Sequence, residues 1–240
     1  MKKDTLLKTL PFYRWHPEVA IRYLPIVEEI KRIGDEATVL EVGSGGLGVA
    51  PYLGRELTGV DSDFSGPKHP LLRVVQGVGE KLPFADKSFD VVISVDTLEH
   101  VPPQSRQKVL SEMVRVARKE IIVAFPSGEE SLNQDRKLSE IYRNKFGEEF
   151  LFLKEHLEYG LPDEQDVLTT LKGLTGPKAK IRVEGNENLD LRRFLMTGWM
   201  TENILVNIFF RKVLLLTTHL FVRYQKPPFY RMLIYAKIKH

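Results

Sequence analysis

Among its 240 residues the chain has no cysteine, which excludes disulfides, thiolate nucleophiles and Cys-ligated zinc or iron–sulfur clusters. Zero cysteine fits a reducing compartment. A large excess of one charge is also missing. The 35 Lys and Arg face 32 Asp and Glu, and the net +3 makes no case for a nucleic-acid partner. Low-complexity tracts and fixed-period repeats are absent too, so the order of elements is the main clue to the fold. Asp4 and Lys8 interrupt the first fifteen residues, which therefore lack an apolar run of secretory-signal length, and a cytoplasmic protein is expected. The most apolar stretch, Asn203 to Val222, is broken near its middle by Arg211 and Lys212, leaving pieces shorter than the ~20 residues of a spanning helix.

What is present describes a globular protein. The chain is 42% hydrophobic and 28% charged, and its length suits one large α/β domain or a domain with a cap. The last forty residues hold seven basic side chains (Arg211, Lys212, Arg223, Lys226, Arg231, Lys237, Lys239) against the single acid Glu202. They form a basic, apolar module on a slightly acidic body. Glu18 to Ile33 has the apolar spacing of an amphipathic helix, as does Gln104 to Arg118. Between and after them lie short, continuously apolar runs: Ala37–Val42, Leu57–Val60, Leu71–Val75, Phe89–Val95 and Glu120–Phe125. Such runs separated by helical stretches predict a parallel sheet covered on both faces, a doubly wound Rossmann-like α/β fold. Phe229 to Ile238 alternates apolar and basic residues and predicts an antiparallel final edge strand. The expected divisions are an N-terminal helical segment (1–35), a ligand-binding core (36–126), a helical cap for substrate (127–224) and the returning strand (225–240).

In folds of this kind ligands sit beyond the carboxyl ends of the strands. The segment Val39 to Gly48 places Gly43, Gly45, Gly46 and Gly48 where a strand hands over to a helix, so backbone can approach a ligand closely. Asp61 ends the next strand, eighteen residues after Gly43, a reach that suits a carboxylate accepting from two ribose hydroxyls. An adenosine ligand is expected. Gly43, Gly45 and Gly48 also satisfy the G-x-G-x-x-G spacing of NAD-dependent oxidoreductases, so that reading stays open on spacing alone.

Four blocks in order carry a resemblance: Glu41-Val42-Gly43-Ser44-Gly45, Val60-Asp61-Ser62-Asp63, Leu82-Pro83-Phe84-Ala85-Asp86-Lys87-Ser88-Phe89-Asp90 and Leu98-Glu99-His100-Val101. In these the chain resembles the class I S-adenosylmethionine-dependent methyltransferases with L-P-F-x-D-x-S-F-D and L-E-H-V motifs. The resemblance implies the class I methyltransferase fold and S-adenosylmethionine as methyl donor. It implies that Glu41 helps hold the methionine amino group, directly or through water. Gly43 and Gly45 make room for the ligand, Asp61 takes the ribose, and backbone near Val95 runs along the methionine part. Ser44 and Ser62 belong to the same motifs. The family's usual adenine-binding acid falls on Val78, so adenine is left to backbone around Val78 and Gly79, with Glu80 as either a ligand group or a surface acid. The third family glycine falls on Leu47, with Gly48 one residue late.

Methyl transfer is an in-line displacement on an activated carbon and needs a base only where the acceptor must lose a proton. His100, with Glu99 beside it, is the expected acid–base residue at the strand rim. Asp96-Thr97-Leu98-Glu99-His100 also resembles the E-x-x-E-H metal motif of some O-methyltransferases. On that reading Asp96, Glu99 and His100 share a divalent ion with His156 as fourth ligand, the less favoured alternative to helix capping and packing. Phe12, Tyr13, Trp15 and Trp199 are core or acceptor-pocket aromatics. For Asn203–Val222, burial in the fold is the favoured reading, and burial in a dimer or peripheral membrane contact through 203–224 are the alternatives. The expected function is methyl transfer to an acceptor, an oxygen for preference, on a small or lipid-linked molecule. The rivals are an NAD-dependent oxidoreductase and a non-catalytic protein that keeps the cofactor fold.

Overall fold

A computed structural model describes residues 15–238. Phe12 and Tyr13 lie outside the described residues. Seven strands form one sheet in the order β3-β2-β1-β4-β5-β7-β6. They are β1 (Val39–Val42), β2 (Leu57–Asp61), β3 (Leu72–Gln76), β4 (Phe89–Val95), β5 (Ala117–Pro126), β6 (Lys180–Asn188) and β7 (Phe229–Lys237). The first five pair in parallel, as their unbroken apolar runs require. β7 runs antiparallel, as expected, but it lies between β5 and β6, so β6 forms the outer edge. Its apolar residues alternate with Arg231 and are buried nearly throughout, the pattern of an interior strand.

The period-two alternation of side chains divides the core between the two faces. Val91, Ile93 and Val95 of β4, with Ile122 and Ala124 of β5, pack against α1 (Pro17–Ile33) through Tyr23, Ile26 and Ile30. Val92, Ile121, Val123 and Phe125 face the other way. They meet Val109, Leu110 and Met113 of α3 (Pro103–Val116) and Val167 and Leu171 of α6 (Glu164–Thr175). The helix expected over Gln104–Arg118 ends at Val116 because Ala117 already enters β5. The helix expected after Val49 shrinks to a single turn, α2 (Ala50–Leu53), closed by left-handed Gly54.

The remaining helices crown the sheet's carboxyl end and flank its α1 side: α4 (Glu129–Phe146), α5 (Leu151–Tyr159), α7 (Leu189–Trp199), α8 (Ile204–Lys212) and α9 (Thr218–Arg223). Asn203 caps α8 by accepting from the amides of Leu205 and Val206. A 3₁₀ stretch, Val213–Thr217, joins α8 to α9, giving a helical segment of 20 residues long and apolar enough to span a membrane by length and composition. This corrects the sequence reading twice, since Arg211 and Lys212 do not shorten the segment and the chain itself does not bury it. Only Leu214 and Thr218 are buried, beside half-buried Phe210, Phe221 and Val222 packed toward Ile21 and Leu195. Ile204, Leu205, Ile208, Phe209, Val213, Leu216 and Leu220 face outward.

Phe125 has no exposed surface and sits where β5 meets the α3 face. Phe125→Ala is expected to cost about 3–5 kcal/mol of unfolding free energy, measured by urea denaturation.

Candidate functional site

The glycine loop follows β1 at the carboxyl edge of the sheet. Gly43 has a left-handed φ of 78°, and its N–H donates to the Val60 carbonyl at 2.8 Å, tying the loop to β2. A Cβ there would overlap the Thr97 side chain, whose Oγ1 in turn donates to the carbonyls of Val42 and Val95. Gly43 is thus required both by backbone conformation and by the approach of β4. Ser44 is buried and donates through Oγ to the Gly45 carbonyl at 2.9 Å. The Gly45 amide donates to Asp61 Oδ2 at 2.7 Å, while Asp61 Oδ1 accepts from the Asp63 amide at 3.0 Å. Asp61 therefore faces the loop from the end of β2.

Glu41 lies beneath the loop. It is fully buried, with Oε1 accepting from the Tyr23 hydroxyl at 2.9 Å and Oε2 from the Val49 amide at 2.7 Å. A Cβ on Gly48 would overlap that carboxyl, so the late glycine is the one that lets the loop close over it. These two bonds fix the loop from below. Burial pushes its carboxyl up to about 7, against the lowering effect of the Val49 and Tyr23 bonds.

The other expected positions line the same rim. Val95 ends β4, and Ser62 follows Asp61 at the surface. Val78, Gly79 and half-buried Glu80 form the turn after β3, where Val78 is half exposed and bridges to Lys81. Gly79 lies close against Val109 of α3. Since β3, β2, β1 and β4 are neighbours, these groups form one continuous edge.

Glu99 and His100 occupy a single 3₁₀ turn, Leu98–His100, one step beyond that edge. Asp96, with a left-handed φ of 46°, turns away from them. It accepts from Arg231 Nε at 2.5 Å and Nη2 at 2.6 Å, with Arg22 Nε at 3.1 Å. Arg231 is wholly buried and reaches Asn186 and Glu187 as well. Burial opposes the charge of Asp96, but Arg22 and Arg231 outweigh it and hold the carboxyl well below the usual range. Asp96 is thus removed from the shared-ion set expected from sequence. Nothing in the sequence singled out Arg231 or Arg22; the available signal was one arginine inside an otherwise apolar strand.

His100 Nδ1 meets Glu155 Oε2 at 2.6 Å, and His156 Nδ1 meets Asp135 Oδ2 at 2.7 Å. Burial, then the neighbouring His156, lowers the His100 pKa despite Glu155. Glu99 is pushed well above the carboxylate range by burial and then by the charge of Asp96. Glu99, His100 and His156 each offer a ligand atom, all within 4.8 Å of one another. The rim is thus a glycine-lined edge and, beside it, lies a carboxylate–imidazole cluster contacted by Asp135 of α4 and Glu155 of α5.

Residues 40–125 match a family model described as a methyltransferase domain. The phthiotriol/phenolphthiotriol dimycocerosates methyltransferase of Mycobacterium tuberculosis (strain ATCC 25618 / H37Rv) is 45% identical over 92 residues, 33% of each chain. That of Mycobacterium leprae is 41% identical over a segment of the same extent. The match thus spans about a third of the length of these curated relatives. A SAM-dependent methyltransferase from Archaeoglobus fulgidus superposes with a TM-score of 0.54 at 17% identity, covering 98% of this chain and all of that one. One from Thermotoga maritima gives 0.56 at 16%, covering 95% of both chains. The fold is therefore that of class I methyltransferases.

The Glu41 carboxyl carries a pH test. Below pH 4.5 it is protonated folded and unfolded. Between 4.5 and 7 only the folded state keeps the proton, so its contribution to stability is lost as pH rises through 7. Wild type is expected to lose about 3 kcal/mol relative to Glu41→Gln between about pH 4 and 8, read from urea midpoints. Glu120 and Glu187, also raised to about 7 by burial, and His16, lowered to about 4, cancel in that difference.

Proposed function

We propose that this chain, which carries a class I S-adenosylmethionine-dependent methyltransferase domain, transfers a methyl group to an oxygen of a lipid-linked acceptor by in-line displacement. The observation that carries the cofactor reading is the continuous rim in which the Gly43 amide is bonded to Val60 and the Gly45 amide to Asp61, joining the carboxyl ends of β1 and β2. Asp61 and Ser62 would take the ribose, Val78, Gly79 and Glu80 the adenine side, and Ser44 and the backbone at Val95 the methionine part. The methyl donor has no phosphate, so a buried acid under the loop at Glu41 suits it better than it suits a dinucleotide. The domain match favours the same side of that choice.

Glu99 and His100 support an oxygen acceptor, because a hydroxyl must lose a proton where an amine need not. They stand next to the rim and under the cap helices, where an acceptor would enter.

Two observations favour a lipid-linked acceptor. The mycobacterial relatives are named for phthiotriol dimycocerosates, and here the outward face of 204–223 is apolar with Lys212 and Arg223 exposed along it. One side of that segment packs on α1 while the other is bare, which suits a helix lying in the interface of an anionic membrane rather than crossing it. The near-balanced charge of the whole chain gives no support to a nucleic-acid substrate, and the absence of cysteine supports a cytoplasmic setting.

Calorimetry is expected to show binding of S-adenosylhomocysteine and none of NADH. Asp61→Ala should weaken the former at least tenfold, through loss of charge-assisted bonds to the ribose. Label from the donor methyl group is expected in the organic-extractable fraction. NADH binding alone would favour the oxidoreductase, and binding without transfer to any acceptor the non-catalytic protein.

In co-sedimentation with phosphatidylglycerol vesicles at low salt, wild type should pellet. Leu205→Asp/Phe209→Asp should remain in solution with unchanged affinity for S-adenosylhomocysteine. Wild type staying in solution would remove the membrane reading.

A further inference from the structure

Both imidazoles beside the rim are held in the same way. His100 and His156 each give Nδ1 to a carboxylate, Glu155 at 2.6 Å and Asp135 at 2.7 Å, which leaves Nε2 as the free ring nitrogen. A carboxylate on one ring nitrogen is how proteins orient a histidine and raise its basicity when the other nitrogen binds a metal. The rings lie 4.9 Å apart between centroids, and His156 Nε2 is 3.9 Å from Glu99 Oε1.

The buried atoms of this cluster have nothing else to bind. His156 Nε2 and both oxygens of Glu99 are buried without a hydrogen-bond partner, and the Glu99 side chain is only 1% exposed. The neighbouring acids are matched by arginines: Asp96 by Arg22 and Arg231, Glu187 by Arg231, Asp135 by Arg192. Among the described residues Glu99 has no arginine or lysine at ion-pair distance. Leaving a carboxylate buried and unmatched is costly, and a cation would remove the cost.

We propose that Glu99, His100 and His156 bind one divalent transition-metal ion beside the methyl-transfer site. Two imidazoles and one carboxylate favour zinc, cobalt, iron or manganese over magnesium or calcium, which prefer all-oxygen sets. Ligand atoms about 2.0–2.2 Å from a tetrahedral ion stand roughly 3.3–3.6 Å apart, so the 3.9 Å between Glu99 and His156 must close by a few tenths of an ångström, and the separations to His100, within 4.8 Å, by up to about one ångström. Three protein ligands leave a fourth position open, as in catalytic rather than structural sites. His100 is the partly exposed member, on the side from which an ion would enter.

The ion's role rests on the methyltransferase reading, although its binding does not. With the ion bound, Glu99 and His100 would serve the acceptor's deprotonation through the metal rather than by taking the proton themselves: a hydroxyl in the open position would be acidified by the ion and lose its proton to water. The oxygen then forms a bond to the donor methyl carbon while the carbon–sulfur bond breaks, its electron pair leaving on S-adenosylhomocysteine.

The test uses the full chain, stripped with chelator and titrated with cobalt(II). One equivalent is expected, with ligand-field absorption in the visible and displacement by zinc. Glu99→Gln and His156→Ala should each lower cobalt affinity at least a hundredfold, and Glu155→Gln, on a half-exposed partner, about tenfold. S-adenosylhomocysteine affinity should stay the same in stripped protein and in folded variants. The stripped wild type makes the test independent of any variant that fails to fold. No stoichiometric cobalt binding by folded wild type, or binding unchanged in Glu99→Gln, would overturn the site and leave Glu99 as a neutral buried acid. Cobalt binding without S-adenosylhomocysteine binding would retain the site and overturn the methyl-donor reading instead.

Discussion

A guanidinium with no exposed surface cannot remain without counter-charges, and Arg231 dictates much of what surrounds it. It lies on β7, yet its partners come from the residue just after β4 (Asp96) and from β6 (Asn186 and Glu187). Arg22 of α1 shares Asp96 and links through Glu18. One buried network therefore ties β7, β6, α1 and the turn after β4 together at the carboxyl end of the parallel strands. Because Asp96 is committed to it, Glu99 and His100 turn out separately from that residue and meet α5 instead.

The glycine edge shows the same economy on a smaller scale. Glu41 supports the loop from below through Val49, while Tyr23 reaches it from α1. Gly43 and Gly48 are the positions that let Thr97 and Glu41 come close enough to do this. The loop is held by buried bonds of its own, which would limit the ordering cost of binding the proposed methyl donor.

Most of the parallel sheet was legible because continuously apolar runs such as Phe89–Val95 have few other fates, and the glycine loop and Asp61 because their chemistry depends on short spacings. Long-range pairing was not legible. Asp96 reads as a ligand beside Glu99 until Arg231, 135 residues away, is placed against it. The position of β7 inside the sheet depends on β6, whose polar sequence Lys180–Asn188 carries only a faint strand pattern. Asn203–Val222 read as core because hydrophobicity does not say against what a surface packs, and here much of it packs against nothing in the chain.

The insertion of β7 between β5 and β6 has a consequence for biosynthesis. On the ribosome β6 emerges some forty residues before β7 and finds no neighbour, since β5 is not its partner. Until β7 arrives, two strand edges stand open, Glu187 lacks its cation and Asp96 has Arg22 alone. The nascent chain is at its most aggregation-prone during that interval, and this is when a chaperone would have most to hold.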